Sequence, residues 1–195
     1  MESIKELYKV GSGPSSSHTI APQRALKLYL EAFPKVDALE IHLYGSLSLT
    51  GKGHYTDEAL LMVASAIPCT IVFDLEWEYD FPNGLSIQGF FQEEPLEQWI
   101  VYSLGGGSIK ILGQSFDFQK EVYPQKSFIE VVAYCKSQNY RLADYVYAYE
   151  PDIDLYLEEI LSQMFKTIDQ GLSMTGTLRG RLKMPRVAQT LYQET

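Results

Sequence analysis

Residues 39–57 read LEIHLYGSLSLTGKGHYTD, a strand pattern that passes through polar, glycine-rich residues towards a helix. Apolar and polar side chains alternate over Leu39–Leu43, which is typical of a strand with one buried face. Residues 45–57 predict a loop because serine and glycine are frequent in them, and Thr56 or Asp57 can cap the helix that follows. The segment therefore indicates a domain that combines strands with helices.

Similar patterns lie on both sides of this segment. A glycine- and serine-rich loop is predicted at residues 10–19, before a helix that begins near Pro22, a residue suited to a first helical turn. Apolar spacing predicts two later helices, one capped by Ser127 and one closed by Gly171. Turns are expected at Asn83-Gly84 and at the triple glycine 105–107. Four more strands are predicted at Thr70–Leu75, Leu85–Phe91, Trp99–Leu104 and Ser108–Leu112.

This order of elements predicts an α/β (α+β) fold, a mixed sheet with helices packed on one or both faces. The charge distribution predicts a division of the chain. Residues 172–195 hold four basic residues and one acidic residue, net +3, whereas residues 1–171 hold 12 basic and 24 acidic residues, net −12. We therefore predict one domain over residues 1–171, followed by a basic tail over residues 172–195.

The composition excludes several classes of protein. The 195 residues include 16 Lys and Arg against 25 Asp and Glu, a formal net charge of −9. Such a charge repels nucleic-acid backbones and anionic lipid surfaces, so neither nucleic acid nor membrane is expected as a partner. Cys69 and Cys135 are too few for a disulfide framework, and the N-terminal residues do not form a signal peptide. We expect a cytoplasmic protein, since a reducing compartment suits free thiols.

One polar segment, residues 11–19, reads GSGPSSSHT and leads into a predicted helix. Backbone N–H groups at a helix N-terminus, together with hydroxyl groups, can bind an oxyanion such as a carboxylate or a phosphate. Such serine runs also occur simply as caps and turns, so that alternative stays open. The candidate binding residues of this segment are Ser15, Ser16, Ser17, His18 and Thr19.

The second polar segment, residues 45–57, supplies a base and a cation. Histidine side chains titrate near neutral pH, which makes His54 a candidate for proton transfer, and Lys52 is a candidate for binding an anionic substrate. The alternative is a solvated loop histidine. The segment is not a nucleotide-binding P-loop, because its glycine spacing differs and Gly53 follows the lysine where a Ser or Thr would be needed. A zinc site from His18, His54 and Asp57 is chemically conceivable but lacks the short ligand spacing of such sites.

Both polar segments resemble motifs of the iron–sulfur-dependent bacterial L-serine dehydratases. The resemblance extends over nearly the whole chain and is weakest at residues 68–98. Its motifs are GPSSSHT at 13–19, YGSLSLTGKGHYTD at 44–57, YSLGGGSI at 102–109 and KSFIEVVAYCK at 126–136.

The resemblance implies a β domain or β chain, whose fold is similar to the allosteric substrate-binding domain of some phosphoglycerate dehydrogenases. In this family a 4Fe-4S cluster, held by cysteines of the α part, acts as Lewis acid while a base removes the α-proton of L-serine, giving pyruvate and ammonia. His54 stands at the position of that base, and residues 15–19 stand at that of a substrate loop. The resemblance therefore implies L-serine as substrate, an α part as partner and an oligomeric assembly.

The chain also departs from the family pattern. The cysteines that ligate the cluster are not in these residues, so the isolated chain is expected to be inactive. Phe81 precedes Pro82-Asn83-Gly84, where many relatives have a histidine. The basic tail over residues 172–195 resembles the start of the α part, but it differs from the family at Leu178-Arg179-Gly180 and at Arg186-Val187. An alternative function from another class is a non-catalytic module that senses serine or another anion, or that serves as an interaction subunit.

Overall fold

The computed structural model describes residues 1–114, 121–180 and 182–194. The chain divides into two compact units. One consists of Gly11–Phe116, and the other of Met1–Val10 together with Asp117–Thr195. The predicted boundary at residue 171 stays a prediction.

The unit Gly11–Phe116 contains a six-stranded mixed sheet, which confirms the predicted α/β class. The order across the sheet is β2-β1-β3-β5-β6, and β4 pairs with β3. The interior strand β1 pairs in parallel with β2 and antiparallel with β3. The strands are β1 (Ala38–Gly45), β2 (Cys69–Phe73), β3 (Asn83–Phe91), β4 (Glu94–Pro95), β5 (Trp99–Gly105) and β6 (Ser108–Ile111).

One face of this sheet forms the core with three helices, α1 (Ile20–Ala32), α2 (Ser46–His54) and α3 (Thr56–Ala64). The alternation in β1 places apolar side chains on this face, where Ile41 and Leu43 are fully buried. Tyr29 of α1 ties the helix to the sheet, since its hydroxyl donates to the Glu97 carbonyl at 2.7 Å and accepts the Gly89 N–H at 2.8 Å.

The opposite face of the sheet is partly covered by the segment between β2 and β3. Trp77 in this segment lies against Gly84, where a Cβ atom would come within 2.1 Å of the indole ring. The turn predicted at Asn83-Gly84 is wrong, because both residues belong to β3 and pair with Gly45 and Tyr44. Glycine is needed there for the close approach of the indole.

The triple glycine 105–107 does form the predicted turn, between β5 and β6. All three glycines have positive φ, and a Cβ on Gly105 or Gly106 would meet no atom within 4 Å. The backbone conformation therefore favours glycine at all three positions, and close packing does not require it at Gly105 or Gly106.

The loop predicted over residues 45–57 is also wrong, because most of it is the helix α2. Leu47, Ser48 and Gly51 of this helix are buried, and Thr50 bonds back to the Ser46 carbonyl. Glycine and serine are poor helix formers, so the sequence pattern indicated a loop, but burial of one side of α2 overrides that preference.

The second unit is mainly helical, with α4 (Phe128–Gln138), α5 (Leu142–Tyr149), α6 (Ile153–Ser173) and α7 (Ala188–Glu194). Ser127 caps α4 as predicted, by accepting the Glu130 N–H. Gly171 does not close α6, which continues to Ser173. The helices α5 and α7 were not predicted from the sequence.

Tyrosine side chains surround a buried carboxylate in the core of this unit. Glu150 is only 6% exposed, and it accepts hydrogen bonds from the hydroxyls of Tyr123 and Ser3. Among the residues that the structure describes, no helix is long and apolar enough to cross a membrane.

Candidate functional site

The serine-rich segment forms a tight turn that leads directly into α1. The N–H groups of His18 and Thr19 both donate to the Ser15 carbonyl, at 3.0 and 2.9 Å. Thr19 is fully buried and its hydroxyl also donates to the Ser15 carbonyl, so this side chain stabilises the turn from inside. The Ser103 hydroxyl of β5 donates to the Ser17 carbonyl at 2.8 Å and fastens the turn to the sheet.

His18 lies between this turn and helix α2. Its Nδ1 atom is 3.2 Å from Oγ of Ser15 and 3.1 Å from Oγ of Ser17. Its Nε2 atom is 2.8 Å from Oγ1 of Thr50. His18 as a residue is 7% exposed, and the polar atoms of its ring are satisfied mainly by these hydroxyl groups.

His54 is the last residue of α2 and lies beside His18. The two ring centroids are 4.3 Å apart with an angle of 35° between the planes. Nδ1 of His54 lies 3.0 Å from the Thr50 carbonyl oxygen, one turn earlier in the helix. Tyr55 follows with a left-handed φ of 59°, which ends α2 immediately after the histidine.

The hydrogen-bond pattern assigns the protons of both rings. A carbonyl oxygen only accepts, so Nδ1 of His54 carries a proton, and in the neutral ring Nε2 is the atom that keeps the lone pair. The Thr50 hydroxyl donates to the Ser46 carbonyl, so its oxygen accepts from Nε2 of His18. Nδ1 of His18 then accepts from a serine hydroxyl of the turn. This assignment gives His54 the free nitrogen that a general base needs.

Burial and the neighbouring His54 ring lower the pKa of His18, against a smaller opposing effect of the Ser46 carbonyl. Two imidazolium rings at this distance repel each other, so the pair favours a state with at least one neutral ring. His18 is thus neutral at neutral pH, in keeping with the proton assignment.

Two other predicted site residues, Lys52 and Ser16, make their described contacts away from the histidine pair. Lys52 forms an ion pair with Asp57 at 2.5 Å, and its ammonium group lies 4.8 Å from the centre of the Phe73 ring. No described contact joins Lys52 to the histidine pair. Ser16 is half-buried, and its carbonyl accepts the Ala21 N–H in the first turn of α1. The structure thus brings together Ser15, Ser17, His18 and His54, and it engages Lys52 elsewhere.

The sequence did not single out three residues that build this site, Ser46, Thr50 and Ser103. Thr50 lies four residues after Ser46 and four before His54, so helical spacing would have pointed to it had α2 been recognised. Ser103 lies in an ordinary strand pattern, which carries no signal for its contact with the serine turn.

Metal binding by these side chains finds no support in the geometry. Asp57 pairs with Lys52, and no described contact joins it to His18 or His54. The residues described by the structure contain no group of three His, Cys, Asp or Glu side chains able to hold a metal ion. The site is therefore a hydroxyl-lined imidazole pair.

These observations define an α/β domain in which two imidazole rings lie at the junction of a serine-rich turn and a short helix. The family described as "Serine dehydratase beta chain" matches residues 3–76. L-serine dehydratase 1 of Escherichia coli (strain K12) is 32% identical over 98% of this chain and 54% of its own length. L-serine dehydratase of Haemophilus influenzae is 26% identical over 99% of this chain and 54% of its own.

Residues 3–76 therefore match a serine dehydratase β region, and the chain as a whole is similar to part of each of these L-serine dehydratases. It spans about half the length of the curated relatives that it matches. The alignment with the first of them extends over 243 positions, so that relative has additional residues inside the matched region. The similarity to phosphoglycerate dehydrogenase domains stays a prediction.

Proposed function

We propose that this chain is the β part of an L-serine dehydratase, a lyase that converts L-serine to pyruvate and ammonia together with an α part. The observation that carries the proposal is the free Nε2 of His54, oriented by the Thr50 carbonyl and placed beside a turn rich in hydroxyl groups. The names of the relatives, all L-serine dehydratases, support the same reaction.

In this proposal His54 accepts the α-proton of L-serine at Nε2. The β-hydroxyl leaves with a proton as water, and the resulting aminoacrylate adds water to give pyruvate and ammonia. One of the Ser15 and Ser17 hydroxyls donates to Nδ1 of His18, and the other, together with the turn before α1, provides donors for the substrate carboxylate. His18 positions these hydroxyls, since its Nδ1 atom lies within hydrogen-bond distance of both. Lys52 needs to leave Asp57 before it can contribute to binding.

The residues of this chain do not fit the 4Fe-4S cluster that the family resemblance implies. Such clusters are normally held by four thiolates, and the chain has two cysteines. Cys135 is buried and Cys69 half-buried, and burial raises the pKa of the Cys69 thiol to about 11. In our proposal the cluster ligands therefore come from the α part, and this chain contributes the base and the hydroxyl groups.

An exposed apolar face on α6 supports assembly with such a partner. Leu161, Phe165 and Ile168 lie on one side of this helix and are each more than half exposed. The relatives are about twice as long as this chain, so we propose the α part as the occupant of this face. Hydrophobic side chains in this arrangement are typical of an interface.

The proposal is tested by purifying the tagged chain anaerobically from its own cells and assaying the eluate for pyruvate formation from L-serine. We expect a brown eluate that contains a cysteine-rich partner and turns over L-serine. A colourless, inactive protein without such a partner would contradict the proposal. Calorimetric binding of L-serine to that isolated chain would then favour the sensing module.

A further inference from the structure

A cavity that shares no lining residue with the serine turn lies over the open face of the sheet. It has a volume of about 490 Å³, within the range of small-molecule sites. Its wall combines aromatic rings with carboxylates, and the part of the chain that the structure describes places no Lys or Arg side chain on it. The aromatic and acidic lining residues are Tyr44, Trp77, Tyr79, Asp74, Glu76 and Glu78.

The aromatic part of the wall is held in place by ring packing. The rings of Tyr44 and Trp77 stack with centroids 4.4 Å apart, and Tyr79 lies 4.7 Å from Trp77. The indole N–H of Trp77 donates to the Phe81 carbonyl at 2.7 Å, and the close approach at Gly84 fixes the ring against the sheet. These aromatic groups are therefore pre-organised, which reduces the entropy cost of binding.

The acidic part of the wall gives the cavity a negative field. The Asp74 carboxylate accepts the Glu76 N–H at 3.0 Å and lies 3.2 Å from Nδ1 of His42. Glu76 and Glu78 are exposed at the rim. The described residues contain no group of three acidic or histidine side chains able to hold a metal ion, so these carboxylates are not a metal cage.

Aromatic rings and carboxylates in one cavity, with no Lys or Arg side chain in its described lining, favour an organic cation. The ring quadrupole attracts a positive charge spread over methyl or methylene groups, and the carboxylates add attraction without requiring short contacts. We propose that this cavity binds a small organic ammonium ion of the choline type. The site is independent of the histidine pair and of the proposed dehydratase reaction.

The test is a titration of the purified chain with choline and, separately, with its neutral isostere 3,3-dimethylbutan-1-ol. Binding is monitored by tryptophan fluorescence and by calorimetry. The chain has two tryptophans, and Trp99 is buried at 2% exposure, so the fluorescence response is assigned to Trp77. We expect saturable choline binding at least about tenfold tighter than that of the alcohol. Equal affinities, or no saturable binding of choline, would overturn the proposal.

Two variants locate the site. W77F should remove the fluorescence response and weaken choline binding about threefold, because phenylalanine is a weaker cation–π partner. Should W77F not fold, the double variant E76Q/E78Q carries the test, since both side chains are exposed. It should weaken binding about fivefold, whereas E93Q/E94Q, at the exposed turn into β4, should change it less than about twofold. Equal effects of the two double variants on choline affinity would show that choline does not bind in this cavity.

Discussion

The carbonyl oxygen of Thr50 lies 3.0 Å from Nδ1 of His54, and the hydroxyl of the same threonine lies 2.8 Å from Nε2 of His18. One residue in the middle of α2 therefore contacts both members of the imidazole pair. The main-chain contact fixes the proton on His54, and the side-chain contact fixes the proton on His18.

A Thr50→Val substitution separates these two contacts. It removes the hydroxyl bonded to His18 and Ser46 but leaves the carbonyl that accepts from His54. We expect kcat for L-serine to fall about tenfold in the assembled enzyme and the pH profile to shift, because His18 loses its fixed tautomer. Thr50→Ser should restore both, since it returns the hydroxyl. An unchanged pH profile in Thr50→Val would show that Thr50 does not position His18.

Stability should depend on pH through His18. Its pKa in the folded chain lies below the ordinary value near 6.5, so around that pH the unfolded chain binds more protons. The free energy of unfolding is therefore highest above about pH 6.5 and decreases as the pH falls towards the folded-state pKa. Urea unfolding at about pH 7.5 and at about pH 5.5 measures this effect. The decrease in the free energy of unfolding between the two pH values should be larger for the wild type than for His18→Asn. An equal loss in both proteins would contradict this assignment.

Gly84 should tolerate no side chain. A Cβ atom there would lie 2.1 Å from the Trp77 ring, so Gly84→Ala should destabilise the chain by about 1–3 kcal/mol in urea unfolding. Gly53→Ala is the matched control, because a Cβ on that helical glycine meets nothing within 4 Å, and it should stabilise by about 0.5–1 kcal/mol. A neutral effect of Gly84→Ala would show that the indole does not pack against β3 as described.

The Cys69 thiol should react slowly in the folded chain. Burial raises its pKa to about 11, so little thiolate is present near neutral pH. Alkylation by iodoacetamide at about pH 8, followed by mass spectrometry, should be more than about tenfold slower in the native chain than in urea. Labelling of Cys69 at the same rate in both conditions would contradict the burial of this thiol.

The strands were predictable because their signals are local. Alternation in β1 and the short aromatic or β-branched runs gave the mixed sheet, and Ser127 marked the start of α4. The helix α2 was missed since its glycines and serines favour a loop until burial of Leu47 is considered. A local sequence pattern contains no information about such tertiary packing.

The site was predictable in its residues but not in its arrangement. The serine run and the two histidines stood out by their chemistry, yet their meeting at 4.3 Å depends on how the turn before α1 packs against α2. The ion pair of Lys52 with Asp57 likewise depends on the change of direction at Tyr55 between α2 and α3. The cavity on the open face of the sheet could not be predicted from the sequence, because it depends on the position of Trp77 against Gly84.

The role of His54 as the base is tested by pyruvate formation from L-serine. The anaerobically purified enzyme that contains this chain is compared as wild type, His54→Gln and His42→Gln. His42 is the matched control, because it lies among Glu40 and Asp74 on the other face of the sheet. We predict a loss of about 10²–10⁴-fold in kcat for His54→Gln and less than about twofold for His42→Gln. Wild-type turnover by the His54→Gln enzyme would contradict the assignment of His54 as the base.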